Sequence, residues 1–153
     1  MGDPKSGGRL NLQKVYLDKT PIAQPCNLNV KNEIINNSKM LWGLNKSLYK
    51  NKTRFMSYLQ SQFSLDKLSK KLQNWNELEF RDFIKELNKA IKKVGGEKLS
   101  KLAEMEWMEV FETKKTEAHT LKAEIDKTDR QIDQMVYELY GLTEEEIKIV
   151  EEG

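Results

Sequence analysis

The chain has 153 residues, of which 38% are hydrophobic and 33% charged, with only three prolines and eight glycines. This length suits one domain with a core, and the composition favours long helices over a sheet protein or a disordered chain. No apolar run approaches the roughly 18 residues of a membrane span, and no secretion signal precedes the first charged residues. The single cysteine, Cys26, cannot form an internal disulfide, and a lone thiol is usual in a reducing cytoplasm. We therefore expect a cytoplasmic protein, and the missing apolar run predicts that it has no membrane contact.

The net charge of +2 hides an asymmetry between the two halves of the chain. Residues 1–75 hold 13 Lys and Arg against 4 Asp and Glu, whereas residues 76–153 hold 13 against 20. The basic half could meet a polyanion. Alternatively, a basic helix pairs with an acidic helix inside one hairpin.

Residues 1–25 are predicted to be a flexible leader followed by an extended arm. The opening "MGDPKSGGR" has the composition of a leader outside the fold, and "RLNLQKVY" alternates like a short strand before Pro21 and Pro25. A strand this short needs a partner, so the arm is either paired elsewhere or the remnant of a recognition domain. Residues 26–153 are predicted to form one helical coiled-coil domain.

A first long amphipathic helix is predicted over residues 30–63, with Asn27 or Asn29 as its N-cap. Its apolar stripe recurs at spacings of threes and fours and comprises Ile34, Leu41, Leu44, Leu48, Phe55 and Tyr58, with Asn37 and Asn51 on the same side. Residues 64–96 then predict a compact helical cap with Ser64 and Asn76 as helix starts, Trp75 as a buried anchor, and an end at Gly95-Gly96.

A third helix is predicted over residues 97–140. Its stripe alternates four and three residues and comprises Phe111, Lys114, Ala118, Leu121, Ile125, Thr128, Ile132, Met135 and Leu139. The cap can reverse the chain, so this helix should lie antiparallel to the first. Its flanking acids should then pair with basic residues of the first helix, namely Lys31, Lys39, Lys46, Lys50, Lys52 and Arg54. The predicted fold class is therefore all-α: a long antiparallel helical hairpin, or coiled coil, with a small helical cap and a short extended amino-terminal arm.

The last residues predict a helical corner. Gly141 suits the left-handed position after a helix, and Thr143 with Glu146 has the spacing of a capping box, with Leu142 and Ile147 as its hydrophobic staple. We expect this corner to pack against the arm around residues 15–17.

No catalytic constellation is apparent in the sequence. The one histidine, His119, has no second histidine, Cys26 has no activating base, and Glu146-Ile147-Lys148 lacks the strand context of a nuclease site. The chain is therefore expected to be no enzyme on its own, with no cofactor and no metal.

Basic and aromatic residues interleave in "SLYKNKTRFMSY", and "DKLSKKL" adds further lysines. The candidates for contacts with the DNA backbone are Lys50, Lys52, Arg54, Lys67, Lys70 and Lys71. Alternatively, the aromatic residues belong to the core and the lysines are merely solvated.

The segment "DRQIDQMVYELYGLTEEEIKIVEE", residues 129–152, resembles the C-terminal end of adenine-specific DNA methyltransferases of the fused restriction–modification kind, type IIG and relatives. The matching positions are Asp129, Ile132 and Asp133, then residues 136–142, then residues 144–146. The segment "LNLQKVYLDKTPI", residues 10–22, is similar to the exit from the target recognition domain of such enzymes.

The resemblance implies a non-catalytic, C-terminal helical part, since the methylation, S-adenosylmethionine and nuclease motifs of those enzymes are missing. Its implied partners are duplex DNA, through weak backbone contacts, and the methyltransferase and recognition domains of the parent enzyme. A first alternative is the spacer helices of a type I specificity subunit. A second is an autonomous coiled-coil protein that oligomerises and binds no nucleic acid, so that monomer and coiled-coil dimer both remain open.

Overall fold

The computed structural model describes residues 3–5, 9–11 and 28–152. Two short strands pair antiparallel near the amino terminus, with Asp3 opposite Asn11. In chain order the elements are β1 (Asp3–Lys5), β2 (Arg9–Asn11), α1 (Leu28–Phe63), α2 (Lys70–Gln73), a 3₁₀ turn (Trp75–Glu77), α3 (Phe80–Lys93), α4 (Lys101–Tyr140) and α5 (Glu144–Glu152). The predicted all-α class is confirmed, since helices make up nearly all of the regular structure that is described.

The expected strand corresponds to β2, which begins at Arg9. Its partner, β1, lies within the segment predicted to be a leader outside the fold. A two-stranded ribbon satisfies part of the backbone hydrogen bonding that a lone strand would leave open. The remainder of the predicted arm, residues 12–25, lies outside the described residues, as does the candidate N-cap Asn27.

The two long helices, α1 and α4, form the predicted antiparallel hairpin. Near one end, the side-chain amide of Asn37 lies 3.6 Å from the sulfur of Met135. Further along α1, Asn51 Nδ2 donates to Glu117 Oε2 at 2.7 Å. Because the partner number falls on α4 as the number rises on α1, the helices run in opposite directions.

Every position of the heptad stripe predicted on α4 is buried or partly covered. Phe111, Ala118 and Thr128 are buried, and the other predicted positions are partly covered. On α1 the stripe is confirmed up to Phe55, but the prediction of Tyr58 is wrong: Leu59 is buried there and Tyr58 is exposed. Leu59 lies one turn after Phe55, and both belong to the buried cluster that includes the cap residues.

The core lies where the hairpin meets the cap. Trp75 is fully buried, as predicted, and its ring lies 4.3 Å from that of Phe55 and 6.1 Å from that of Phe111. The other buried hydrophobic residues there are Leu59, Leu65, Leu68, Leu72, Phe83, Ile84, Leu87 and Ile91. Segment 64–96 is thus the compact helical cap that the sequence predicts.

Three predicted helix starts are wrong. Ser64 follows the end of α1 with a positive φ of 50°, and Ser69 caps α2 instead by accepting from the amide of Leu72. Asn76 is buried in the 3₁₀ turn, while α3 starts after Glu79. The third long helix begins at Lys101 rather than residue 97, because Ser100 accepts from the amide of Ala103 and so caps its first turn. The predicted end of α3 is confirmed by Gly95, whose φ of 79° favours glycine.

The predicted pairing of α1 cations with α4 acids is also wrong. Within residues 28–152, no ion pair joins α1 to α4. Lys115 pairs instead with Glu79 beside the cap at 2.9 Å, and Lys114 pairs with Glu117 on its own helix. Apolar burial, rather than charge pairing, therefore fixes the register of the hairpin.

The helical corner after α4 is confirmed. Gly141 has a φ of 63°, and the amides of Gly141 and Leu142 donate to the carbonyls of Glu138 and Tyr137. The capping box of α5 is reciprocal: the Thr143 amide donates to Glu146 Oε2 at 2.8 Å, and the Glu146 amide donates to Thr143 Oγ1 at 3.3 Å. The contact expected between this corner and residues 15–17 falls outside the described residues.

Replacing Thr143 by alanine should fray α5, because the side-chain half of its capping box is removed. Hydrogen bonds from the backbone and side chain of Thr143 lower the pKa of Glu146 below its usual 4.5. The cap's contribution is therefore full above that value and is lost as the pH falls through the lowered pKa. Hydrogen exchange of the α5 amides at neutral pH measures the effect, with Thr143→Ser as control. Equal protection in the alanine and serine variants would contradict this role.

Candidate nucleic-acid interface

An open groove of about 540 Å³ lies between the middle of α1 and the first half of α4. Its walls are Ser47, Lys50, Asn51, Arg54, Phe55 and Tyr58 on α1, and Val110, Lys114, Glu117 and Leu121 on α4. The groove forms because Asn51 and Lys114 occupy seam positions where apolar residues would otherwise close the contact. The polar side chains of these two seam positions are part of the groove wall.

Lys50 and Arg54 carry the positive charge of the groove. They are four residues apart on α1, which places them on the same side one helical turn apart, and both are exposed. Neither has a carboxylate within 4.0 Å among the residues that the structure describes. Both are therefore available to an anion from solution.

The third cation of the groove, Lys114, is neutralised locally. Its ammonium group donates to both carboxylate oxygens of Glu117, at 2.8 and 3.0 Å. The hydrogen bond from Lys114 is the main cause that lowers the pKa of Glu117. Desolvation opposes this shift, whereas the charge of Lys114 and the hydrogen bond from Asn51 add to it. Glu117 thus stays ionised at neutral pH and limits the positive potential to the α1 side of the groove.

Asn51 also leaves one polar atom without a partner. Its Nδ2 donates to Glu117, but its Oδ1 is buried and accepts no hydrogen bond within the described part of the chain. A buried acceptor of this kind costs free energy unless water or a ligand donates to it. The groove wall therefore contains one unsatisfied acceptor that solvent does not reach, beside two free cations.

The six predicted contact residues do not form one patch. Lys52 is partly covered and lies on another side of α1 from Lys50 and Arg54. Lys67 lies in a second hollow of about 500 Å³ on the cap, which Lys89 and Lys93 also line. The two remaining predicted residues, Lys70 and Lys71, are exposed on α2. The structure thus brings together only the pair in the groove.

Electrostatics on the cap are mixed. Glu86 pairs with Lys89 at 2.8 Å, and the hydrogen bond from Lys89 is the main cause that lowers the pKa of Glu86. Desolvation opposes it, and the charges of Lys89, Lys71 and Lys85 lower this pKa further. The cap therefore has a second basic surface, but part of its positive charge is balanced by Glu86.

The aromatic residues that interleave with the basic ones have different roles. Phe55 is buried in the core. Tyr58 is 51% exposed at the end of the groove and contacts Trp107 at a ring distance of 5.9 Å, while Tyr49 is exposed on α1 outside the groove. The interpretation of these residues as core holds for Phe55 only, and Tyr58 is placed to contact a ligand of the groove.

Lys114, Glu117 and Asn51 were missed as residues of a site. The signal was in the sequence, since Asn51 and Lys114 interrupt two apolar stripes that would otherwise close on each other. Such an interruption indicates either imperfect packing or an opening, and only the three-dimensional contact of α1 with α4 distinguishes these two.

The residues considered for catalysis have structural contacts. His119 Nε2 lies 2.7 Å from the backbone carbonyl oxygen of Asn76, joining α4 to the cap. Glu146 belongs to the capping box, Lys148 lies 3.8 Å from Glu152, and Cys26 is outside the described residues. In the part of the chain that the structure describes, no three His, Cys, Asp or Glu residues are grouped to hold a metal ion.

None of the helices described has both the length and the apolar character that crossing a bilayer requires.

Comparison with known proteins gives a family without an assigned activity. No curated protein and no solved structure matches the chain. One family profile, described as a domain of unknown function (DUF8810), matches residues 27–136. This region covers α1, the cap and most of α4, and it ends before the corner at Gly141. The match takes in well over half of the sequence, and the chain therefore belongs to the DUF8810 family.

Proposed function

We propose that this chain is a non-catalytic helical part of a DNA restriction–modification enzyme of the adenine methyltransferase kind, and that it supports target recognition by holding the DNA backbone. Its partners in this proposal are duplex DNA and the methyltransferase and recognition domains of the parent enzyme. The similarity of residues 129–152 to the ends of such enzymes supports the assignment.

The observation that carries DNA contact is the pair Lys50 and Arg54. Both cations are exposed, lie one helical turn apart and have no carboxylate partner in the described chain. Arg binds phosphate with a planar fork of donors and Lys binds it as a point charge, so the two can hold neighbouring phosphates. Contacts to phosphate position a protein on a duplex but do not distinguish sequences.

Binding to duplex DNA should weaken as salt rises and should not depend on sequence. Replacing Lys50 and Arg54 together by glutamate is expected to reduce the slope of log K against log salt by about 2, at roughly 0.9 for each phosphate that is no longer neutralised. Fluorescence anisotropy of a labelled duplex at several salt concentrations measures this slope.

A matched control is the replacement of Lys122 and Lys127 by glutamate. Both are exposed on α4 outside the groove. Each double variant replaces two cations by two glutamates, so the change in net charge is identical. The control should retain most of the binding. Equal weakening in the two double variants would mean that only total charge matters, and an absence of binding at low salt would contradict DNA contact altogether.

A spacer role is the second candidate, and the length of the hairpin favours it. At 1.5 Å per residue, the 40-residue helix α4 extends about 60 Å alongside α1. Spacer helices of a type I specificity subunit would use this rod to set the distance between two recognition domains. A hairpin that binds no DNA but fixes the separation of attached domains would favour this candidate.

A further inference from the structure

A column of exposed apolar residues runs along the outer side of α1. Leu28, Ile35, Trp42 and Tyr49 recur every seven residues and are 68%, 39%, 69% and 72% exposed. Side chains seven residues apart on a helix lie nearly in line, with a drift of about 20° per heptad. We call these four residues the outer column. Such a repeat is typical of a surface that packs against another helix, and exposed Trp and Tyr are frequent at the centres of interfaces.

The surroundings of the outer column are basic. Lys39 and Lys46 flank Trp42 by three and four residues, and the ammonium group of Lys46 lies 5.0 Å from the centre of the Trp42 ring. The only acidic residue of α1 is Glu33, against six Lys and Arg. A helix that covers the column should therefore be acidic as well as apolar on one side.

The chain itself carries a helix with this chemistry. Helix α5 holds five glutamates and one lysine, and none of its residues is buried. Its apolar residues Ile149 and Val150 are 72% and 58% exposed. The corner at Gly141 and the capping box fix where α5 begins, so this helix can form before it contacts any partner.

The charges of α5 and α1 also match in spacing. Glu145 and Glu152 are seven residues apart, as are Lys39 and Lys46, which is about 10 Å along each helix. Both glutamates are four or three residues from Ile149 and therefore lie on its side of α5. Two carboxylates on α5 can thus face two ammonium groups on α1 while the apolar residues lie between the helices. Within one molecule both apolar surfaces stay exposed, so α5 does not cover the outer column of its own chain.

We propose that α5 of one molecule docks on the outer column of a second copy, and that the exchange is reciprocal. A two-fold dimer then contains two identical contacts, each an acidic amphipathic helix on a basic apolar helix face. This contact leaves the seam between α1 and α4 intact, so each copy keeps its own hairpin.

Sedimentation equilibrium over a range of protein concentrations tests the dimer. The unaltered chain should associate, and both Trp42→Glu and the double variant Ile149→Glu, Val150→Glu should weaken association by at least about tenfold. These residues are exposed, so circular dichroism should show unchanged helix content. The control is Met105→Glu, an exposed apolar residue of α4, which should associate like the unaltered chain.

A charge exchange tests the identity of the partner. Lys39→Glu with Lys46→Glu should prevent association, and so should Glu145→Lys with Glu152→Lys, since the two pairs have the same spacing and face each other in the docked helices. An equimolar mixture of the two should form a heterodimer. A chain that is monomeric at all concentrations would overturn the proposal, whether or not an unrelated acidic helix binds the column. A dimer that survives the Trp42 and α5 variants, or a mixture that stays monomeric, would also overturn it.

Discussion

Replacing Phe83 by alanine is expected to lower the free energy of unfolding by about 3–5 kcal/mol, the range for deleting a buried aromatic ring. Phe83 is fully buried on α3, and its ring stacks on Phe111 of α4 at a centroid distance of 4.5 Å. It also lies 6.0 Å from Phe55 of α1 and 6.4 Å from Trp107 of α4. One ring therefore joins the cap to both helices of the hairpin. Urea unfolding followed by circular dichroism measures the decrease.

The control for this variant is Tyr58→Ala. Tyr58 is also aromatic and contacts Trp107, but half of its surface is exposed. Its removal should cost less than about 1 kcal/mol, as is usual for surface positions. If Phe83→Ala cost no more than Tyr58→Ala, the aromatic cluster would not be the core that holds the cap to the hairpin.

The long helices could be predicted from sequence because a single pattern, the heptad stripe, specifies them over many turns. Every predicted stripe position on α4 is at least partly covered, and the glycine after each of α3 and α4 has the expected positive φ. Over many turns, one misplaced residue such as Tyr58 does not change the assignment. The Thr143–Glu146 box was predictable for a related reason, since both partners lie within four residues of each other.

Helix starts in the cap were harder to predict because several polar residues compete within a few positions. Ser64 and Ser69 are both acceptable N-caps by residue type, but Leu65 and Leu68 are buried in the core, which holds the segment between the two serines in a non-helical path. Asn76 is buried beside Trp75 and is therefore unavailable as a cap for α3. Tertiary packing, which local sequence does not contain, decides among such candidates.

The candidate site depended on a contact between distant residues. Six basic residues were predicted from their interleaving with aromatic residues in one segment and from the lysines of a second. The groove is instead defined by Asn51 and Lys114, which are 63 positions apart and interrupt facing stripes. The expected charge pairing between α1 and α4 failed for a similar reason. Side chains that flank the seam on α1 point into solvent, and Glu117 of α4 is already bound to Lys114 and Asn51. Lys50 and Arg54 stay free as a result.

Replacing Leu121 and Ile125 together by aspartate is expected to unfold the hairpin. Both residues lie in the seam of α4 and are partly covered by α1. An unpaired charge in such a contact costs several kcal/mol, and two of them approach the roughly 5–15 kcal/mol that stabilise a typical domain. The two new charges also add to an α4 that already holds ten acidic residues against six basic ones. Circular dichroism at 222 nm during heating measures the decrease in helix content.

The matched control replaces Thr120 and Ala123 by aspartate, since these exposed residues lie on the same two turns but outside the seam. Both double variants add two negative charges to the same stretch of α4. A difference between their melting temperatures therefore reports the burial of Leu121 and Ile125 against α1. The control should melt within a few degrees of the unaltered chain. A seam variant as helical and heat-stable as the control would show that α1 and α4 are not held together by their apolar stripes. The groove, whose walls belong to both helices, would then have no fixed geometry, and the charge of Lys50 and Arg54 would act only as part of a basic helix.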